Sequence, residues 1–361
     1  MSALGGLVVA DFGRVLAAPY ATMLLADLGA EVVKVEHPRG DETRAWGPPH
    51  AGGVATYFLS VNRNKTSTVL DLSTVEGKAA ARELVLGADV VVENFRPGTM
   101  AGFGLSYEDL RTVHPGLVYC SVTGFGAGKG RDLPGYDLLV QAVGGLMSVT
   151  GARPGEPVKT GVALVDVLTG VHAAVGILAA LRHRDATGEG QLVEVDLLSV
   201  LLSSMVNQST GYTAAGVVPG IMGNRHPSIA PYELVETADR PMVLAVGNDR
   251  QFTRLCSALD VPELATDPRF ATNSARVAHV DALMSVLTPR LRERTARHWF
   301  DTLTPLGVPC GPVNDLADAF TLAADLGLNP VVPLDGLTLV ANPIRLSRTP
   351  ATYRLPPPAL D

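Results

Sequence analysis

The first third of the chain alternates short apolar runs with segments of helical spacing. Five apolar or β-branched runs predict strands, at residues 7–12, 31–36, 66–72, 89–95 and 117–123. Three segments predict amphipathic helices, at residues 19–28, 76–86 and 107–113. Because strands alternate with helices, we expect an α/β fold with a mostly parallel sheet that is covered on both faces. Ligands bind such sheets beyond the carboxyl ends of the strands.

The rest of the chain predicts further core elements and, from residue 232 to about residue 309, a second unit. Residues 167–182 form a long apolar pattern typical of a core helix, and residues 192–206 predict a buried strand followed by another helix. The turn-rich segment 216–231 indicates a crossover between domains. Beyond it we expect one strand and then four helices, at residues 242–246, 251–259, 280–292, 295–304 and 316–326.

Composition narrows the class of protein. With 361 residues, 47% of them hydrophobic, the chain can fill the cores of about two domains. The net charge of −7 and the 5% of aromatic residues argue against nucleic-acid partners and against an anionic membrane surface. Three separated cysteines without a CxxC motif indicate reduced thiols, so we expect a cytoplasmic protein. We expect neither a signal peptide nor a segment that spans a bilayer.

Several common site motifs are missing from the sequence. The first strand–helix junction, residues 11–19, has no GxGxxG, which disfavours NAD or FAD. No GxxxxGK[ST], HExxH or GxSxG occurs, and the eight histidines are scattered. We therefore expect no tightly bound cofactor, no metal site and no serine hydrolase chemistry.

Asp166 is the acidic residue with the most unusual surroundings. Five of its six nearest neighbours in sequence are apolar. The local sequence alone favours a helix N-cap, because aspartate is a preferred cap and a helix begins about here. A second interpretation is a nucleophile, which backbone donors and the helix dipole would hold ionised.

Four basic residues lie near the ends of predicted strands: Arg39, Arg63, Lys65 and Arg96. Each is compatible with solvated surface charge. Together they could instead bind the phosphates of a nucleotide-like ligand.

A set of blocks along the chain resembles the family III CoA-transferases, which include formyl-CoA and carnitine CoA-transferases and the related α-methylacyl-CoA racemases. The resemblance runs from Leu7 to about Thr352, and the combination of blocks is specific where any single block would be weak. The blocks are DFGRVLAAP, LADLGAEVVKVEHPRGDETR, NRNKTSTVLDLSTVEGK, ADVVVENFRPGTM, HPGLVYCSVTGFG, PGYDLLVQAVGGLMSVTG, MGNRHPSIAPYE, AVGNDRQF and GVPCGPV.

The resemblance implies a fold that periodicity alone could not give. We expect a Rossmann-like large domain and a smaller α/β domain, with two chains interlocked as a homodimer. Residues 1–215 would form the N-terminal part of the large, CoA-binding domain, residues 216–310 the small domain, and residues 311–361 a segment that returns to the large domain. The active site would lie at the domain interface.

The resemblance also assigns roles to residues. The catalytic aspartate of the family falls on Asp166, which would carry acyl and CoA groups as an anhydride and a thioester. CoA contacts fall on eight positions: Arg14, Val15, Arg39, Leu70, Leu72, Asn94, Phe95 and Arg96. Substrate contacts fall on Leu16, Tyr136, Gly247 and Asn248, the last two in a loop that could stabilise oxyanions. Ser73 and Gly102 depart from basic residues common in the family, so Arg96 or Arg63 could supply phosphate contacts.

Alternatives to CoA transfer remain open at this point. A racemase needs an acid and a base on opposite faces of the α-carbon. The racemases use a histidine where this chain has Tyr136, and a tyrosine with a pKa of about 10 is a poor base at neutral pH. The substitution favours a transferase. A CoA-binding protein without catalysis and a dinucleotide-dependent oxidoreductase are the other classes. Leu16, where the formyl-CoA branch has glutamine, favours an acyl group larger or less polar than oxalate.

Overall fold

The computed structural model describes residues 2–360, which form two compact units. The larger unit combines residues 2–146, Lys159–Val218 and 327–360. The smaller unit consists of Met147–Val158 and Pro219–Leu326. Compared with the sequence-based limits of 216–310, the smaller unit therefore also contains a short segment before residue 159 and the residues that follow residue 310.

The strands of the described chain are short. They are β1 (Val8–Asp11), β2 (Glu31–Glu36), β3 (His50–Ala51), β4 (Val54–Ala55), β5 (Lys65–Val69), β6 (Val90–Glu93), β7 (Val118–Thr123), β8 (Leu192–Asp196), β9 (Tyr232–Val235), β10 (Met242–Ala245), β11 (Cys310–Pro312), β12 (Val331–Leu334) and β13 (Leu337–Val340).

The helices vary more in length. They are α1 (Ala17–Asp27), α2 (Thr56–Val61), α3 (Val75–Leu86), α4 (Thr99–Gly102), α5 (Tyr107–Leu110), α6 (Asp137–Val143), α7 (Leu146–Val149), α8 (Leu164–Thr187), α9 (Leu197–Ser204), α10 (Val206–Ala215), α11 (Asp249–Ala258), α12 (Asn273–Ala278), α13 (Val280–Leu291), α14 (Ala296–Leu303) and α15 (Leu316–Asp325). Two 3₁₀ helices cover Glu42–Ala45 and Pro262–Ala265.

A six-stranded parallel sheet forms the centre of the larger unit, in the order β5-β2-β1-β6-β7-β8. β1 lies in the middle, where Val9 pairs with Val32 on one side and with Val90 on the other. The predicted α/β fold with a parallel sheet is thus confirmed. Because all six strands run the same way, their carboxyl ends meet at one edge of the sheet.

Both faces of this sheet are buried, which explains why its strands are almost continuously apolar. Val90 and Val92 pack in a core with α1 and α8. Val91, whose side chain points to the opposite face, packs in a second core that includes Ala81 and Val85 of α3. Apolar burial on both faces fixes the register, because a shift by one residue would exchange the two faces.

α8 has 24 residues, and by length and composition it could cross a membrane. From the sequence we expect no such segment. Val165, Ala173 and Ile177 of this helix are buried in the core beside the sheet. A core helix needs the same apolar composition as a membrane span, so this helix is weak evidence for a membrane.

The smaller unit contains a three-stranded antiparallel sheet in the order β11-β10-β9. Its core brings Met242 and Leu244 of β10 together with Phe252 of α11, Leu287 of α13 and Trp299 of α14. Apolar side chains at helical spacing thus pack on one face of a small sheet.

The C-terminal segment is held in the larger unit by a buried polar cluster around Asp27. Arg63 donates two hydrogen bonds to the Asp27 carboxylate, at 3.0 and 2.6 Å. Asn64 and Asn342 donate to the same carboxylate at 2.8 and 3.0 Å. Since Asn342 lies 315 residues from Asp27 in the chain, this cluster connects the two ends of the larger unit.

Candidate functional site

A depression in the larger unit lies beyond the carboxyl ends of β1, β6, β7 and β8, and Asp166 lines it. We call it the Asp166 depression. It brings together seven other residues that the sequence analysis selected: Arg14, Val15, Leu16, Asn94, Phe95, Arg96 and Tyr136. They come from loops that are far apart in sequence. A parallel sheet gathers them, because each loop follows the carboxyl end of a strand.

A second, more apolar depression shares Arg14 and Phe95 with the first. We call it the apolar depression. Leu70 and Leu72 line it, as do Phe12, Val35, His37, Ser73 and Phe103. Phe95 and Phe103 stand edge to face with ring centroids 6.3 Å apart, and the Arg14 guanidinium lies 5.5 Å from the Phe95 ring centroid. Aromatic and aliphatic side chains of this kind suit a planar base, with a cation at its rim.

Asp166 is in the first turn of α8, but it does not cap the helix. The N-cap residue is Ala163, and the side chain that accepts from the first turn is Asp137. Its Oδ1 accepts hydrogen bonds from the backbone N–H of Val165 at 2.8 Å and from that of Asp166 at 3.2 Å. The N-cap interpretation of Asp166 is therefore wrong, because an aspartate from α6 performs the capping. No hydrogen bond or ion pair engages the Asp166 carboxylate among residues 2–360.

The electrostatics of Asp166 differ from the sequence-based expectation. Burial, followed by the nearby negative charge of Asp137, raises the pKa of Asp166 from 3.8 to about 7. The expectation of a carboxylate held ionised by backbone donors is wrong, since Asp137 uses the first two donors. A carboxyl group with a pKa near neutrality and no hydrogen-bond donor has lone pairs available for attack.

Two residues near Asp166 were missed as functional candidates. In the sequence, Asp137 is only one letter of the block PGYDLLVQAVGGLMSVTG. Its Oδ2 also accepts a hydrogen bond from the Gln141 amide at 2.5 Å. Tyr57 of α2 has a pKa raised to about 12 by burial and then by the charges of Asp166 and Asp137. Asp137 could have been selected as a candidate, because it is an acidic residue at the start of a helical pattern. No local signal could have placed Tyr57 near Asp166.

Three arginines line the Asp166 depression: Arg14, Arg96 and Arg131. Arg14 lies 3.7 Å from Glu42 in a half-exposed pair, which is a weak interaction in water. Arg131 donates to the carbonyl of Pro97 at 3.4 Å and forms no ion pair within the described part of the chain. These guanidinium groups can bind phosphates or carboxylates of a ligand.

Buried ion pairs exclude two of the predicted phosphate-binding residues from that role. Lys65 is fully buried, and its Nζ donates to Asp11 at 3.0 Å. Arg63 is buried against Asp27. The hypothesis that either residue binds phosphate is wrong, because these cations neutralise carboxylates inside the larger unit. Arg39 is exposed on the loop after β2 and lines neither depression.

Gly247 and Asn248 belong to the smaller unit. Asn248 is the N-cap of α11, and its side chain accepts from the backbone N–H of Gln251 at 2.9 Å. The N–H of Gly247 donates to Oε1 of Gln251 at 2.8 Å. In this conformation the Gly247 donor is occupied by the chain itself, so an oxyanion could bind it only after Gln251 moves.

A model of CoA-transferase family III matches residues 4–361 of the chain. The chain belongs to this family. The resemblance inferred from the sequence blocks is confirmed, and so is the prediction that the protein is a CoA-transferase, an enzyme that uses CoA thioesters as substrates.

Known proteins similar to this transferase cover nearly its whole length. A succinate–glutarate CoA-transferase of Agrobacterium fabrum is 43% identical, covering 99% of this chain and 92% of the relative. An acetyl-CoA:oxalate CoA-transferase of Acetobacter aceti is 40% identical over 95% of this chain and 88% of the relative. A CAIB/BAIF family protein from Brucella suis superposes with a TM-score of 0.89 at 41% identity, covering 99% and 96% of the two chains.

The site of the transferase shows no cluster suited to a metal ion. Across residues 2–360, no group of three or more His, Cys, Asp or Glu side chains is arranged to hold one. The Asp166 depression presents carboxyl, guanidinium, phenol and backbone groups to a ligand.

Proposed function

We propose that the transferase moves CoA between short-chain dicarboxylic acids such as succinate and glutarate, with Asp166 as the nucleophile. The assignment of Asp166 as the nucleophile rests on one observation. Its carboxylate lines the depression and has no hydrogen-bond partner in the described chain. The relatives named for succinate, glutarate and oxalate support a dicarboxylate class. The apolar Leu16, which lines the same depression as Asp166, favours the longer diacids over oxalate.

In the first half of the proposed reaction, an Asp166 oxygen attacks the carbonyl carbon of the acyl-CoA. The carbon–sulfur bond breaks, CoA leaves as a thiolate, and a mixed anhydride joins Asp166 to the acyl group. The thiolate then attacks the Asp166 carbonyl carbon and releases the donor acid as a carboxylate. The product is an aspartyl-CoA thioester, and no proton is gained or lost in these two steps.

The second half reverses these steps with the acceptor acid. The acceptor carboxylate attacks the aspartyl-CoA thioester, and CoA thiolate leaves. The thiolate then attacks the acceptor carbonyl of the new anhydride, which frees Asp166 as a carboxylate. Because anhydride and thioester have similar acyl-transfer potential, no step releases an activated acid into water.

The two depressions provide the binding groups that this reaction needs. The apolar depression would take the adenine between Leu70, Leu72 and Phe103, and Arg14 and Arg96 would bind CoA phosphates. Arg131, which lines the Asp166 depression without an ion-pair partner in residues 2–360, would bind the distal carboxylate of the diacid.

A panel of acceptors tests this proposal. With succinyl-CoA as donor, we expect kcat/KM for glutarate to exceed that for valerate by at least about 100-fold, because valerate lacks the distal charge. Arg131→Gln should reduce this preference and should also raise the KM for succinyl-CoA, because the succinyl group carries the same distal carboxylate. Equal rates with the diacid and its matched monoacid would overturn the dicarboxylate assignment. Exchange of the α-hydrogen of a 2-methylacyl-CoA without CoA transfer would overturn the transferase mechanism.

The pH dependence of kcat/KM gives a second test. Asp166 attacks only when deprotonated, so activity should rise as pH increases through about 7. Asp137→Asn keeps an oxygen that can cap α8 but removes a negative charge that raises the pKa of Asp166. The acidic limb of the profile should therefore shift to lower pH in this variant. A limb that stays in place or moves to higher pH would contradict the assignment.

The transferase is further proposed to be a cytoplasmic homodimer. The larger unit exposes apolar side chains on α8 and the neighbouring helices, including Val175 at 60%, Val143 at 60% and Val206 at 67%. Exposed apolar side chains that together form a patch would favour association with another chain. Light scattering should give twice the mass of one chain, and a monomer at micromolar concentration would count against the dimer.

A further inference from the structure

Val15 has a backbone conformation that its side chain disfavours. Its φ is 65°, in the left-handed region, where a β-branched residue is rare because its branched Cβ crowds the backbone. Val15 lies between β1 and α1, and both Val15 and the following Leu16 line the Asp166 depression. Sparsely populated backbone conformations persist only where surrounding structure enforces them.

The peptide bond before Val15 is held by Asn94, from the loop after β6. The backbone N–H of Arg14 donates to the Asn94 Oδ1 at 2.8 Å, and the Asn94 Nδ2 donates to the Arg14 carbonyl at 2.7 Å. The second bond fixes the plane of the peptide that joins Arg14 to Val15. The angle φ of Val15 is the rotation about its N–Cα bond, and this bond begins at that peptide plane. Asn94 therefore fixes the N-terminal side of the rotation.

The residues before Arg14 are anchored as well. The N–H of Phe12 donates to the Val92 carbonyl at 2.8 Å. Gly13 donates to the Asp11 carboxylate at 2.9 Å and accepts from the buried Lys34 ammonium at 2.8 Å. These bonds fix the direction of the backbone up to Arg14. The conformation of Val15 then sets the direction in which the chain enters α1.

The loop that carries Asn94 is itself fixed by Glu93. This buried carboxylate accepts from the backbone N–H of Phe95 at 2.8 Å and from the Ser121 hydroxyl. Asn94 therefore lies in a loop that is hydrogen-bonded to both β6 and β7. Its two polar side-chain groups bond the Arg14 backbone.

We propose that Asn94 is a positioning residue, which holds Val15 in the left-handed conformation and thereby places Leu16 and the start of α1 against the Asp166 depression. The inference rests on the proposed function in taking this depression as the reaction site. It replaces the expectation that the Asn94 side chain binds CoA. A glycine at position 15 would adopt the same φ without help, whereas valine requires the Asn94 bonds.

Rescue by glycine tests the inference. Asn94→Ala should lower kcat/KM by about 100-fold, which is the loss expected when groups at a reaction site are displaced by about 1 Å. Most of this loss should appear as a lower kcat. Adding Val15→Gly should recover about tenfold, because it removes the left-handed penalty of an L-residue. Adding Val15→Ala should recover little, because alanine keeps the Cβ that causes the penalty. For each double variant, kcat/KM is compared with that of the single variant Val15→Gly or Val15→Ala.

Two further variants control the test. Arg14→Ala removes the guanidinium beside Phe95 but leaves the backbone bonds to Asn94, so Val15→Gly should not rescue it. If Asn94→Ala fails to fold, Asn94→Asp replaces it, since aspartate retains the acceptor for Arg14 N–H and loses the donor to the Arg14 carbonyl. The same loss and the same rescue are expected.

The inference is overturned if Val15→Gly restores nothing to a folded Asn94 variant, or if Val15→Ala restores as much as Val15→Gly. A loss confined to KM for the acyl-CoA would indicate direct contact and would also overturn it. Asp166→Ala in the same assay reports on the nucleophile alone. If that variant stays active while glycine still rescues Asn94→Ala, the proposed function fails and the positioning role stands.

Discussion

Replacing Asp166 with alanine is expected to lower kcat for CoA transfer by about 10⁴- to 10⁶-fold, the range found when a covalent nucleophile is removed. The reason is that, among residues 2–360, no other carboxylate lines the Asp166 depression except Glu42, which pairs with Arg14. The measurement is steady-state transfer from succinyl-CoA, with product acyl-CoA quantified by chromatography.

Asp166→Asn is the matched control for this change. Asparagine keeps the size of the side chain and removes its nucleophilic charge, so transfer should be lost to a similar extent while CoA binding, measured by calorimetry, is retained. Activity within about tenfold of the parent in either variant would show that the covalent step does not use Asp166.

Replacing Lys65 with methionine is expected to destabilise the larger unit by about 3–5 kcal/mol, because it leaves a buried carboxylate without its cation. Lys65 and Asp11 are both fully buried, and the Lys65 Nζ also donates to the carbonyl of Pro19 and to Asn62 at 2.9 and 3.0 Å. Burial lowers the pKa of Lys65 to about 8, against the opposing effect of Asp11, so the amine is still charged at neutral pH. Urea denaturation measures the loss.

Arg111→Met provides the comparison for an exposed pair. Arg111 and Glu108 are 54% and 71% exposed, and breaking this pair should change the free energy of unfolding by less than about 1 kcal/mol. The double variant Asp11→Asn/Lys65→Met should recover part of the loss, since it removes the unpaired charge. If Lys65→Met were no more destabilising than Arg111→Met, the buried pair would not support the fold as described.

The central sheet could be predicted because its strands are buried on both faces. Val90, Val91 and Val92 form an apolar run, and such a run is typical of a strand that is buried on both faces. By contrast, α2 and the short hairpin β3–β4 escaped prediction. Their sequences are too short for periodicity to distinguish helix from strand, and contacts with the rest of the larger unit decide their structure.

The chemistry of single residues was harder to predict than the fold. Asp166 has the sequence context of an N-cap, and only the packing of α6 against α8 gives that role to Asp137, which lies 29 residues earlier. Lys65 and Arg63 look like surface cations in the sequence, because nothing local shows that Asp11 and Asp27 are buried beside them. Long-range pairing of charges decides both cases.

Intact-protein mass spectrometry after mixing the transferase with succinyl-CoA tests whether Asp166 carries CoA covalently. We expect a CoA adduct on the protein, which hydroxylamine trapping and proteolysis should locate at Asp166. This adduct should disappear when excess glutarate is added. The Asp166→Asn variant should show no adduct. Turnover without any adduct, or an adduct on another residue that survives Asp166→Asn, would contradict a reaction carried by Asp166.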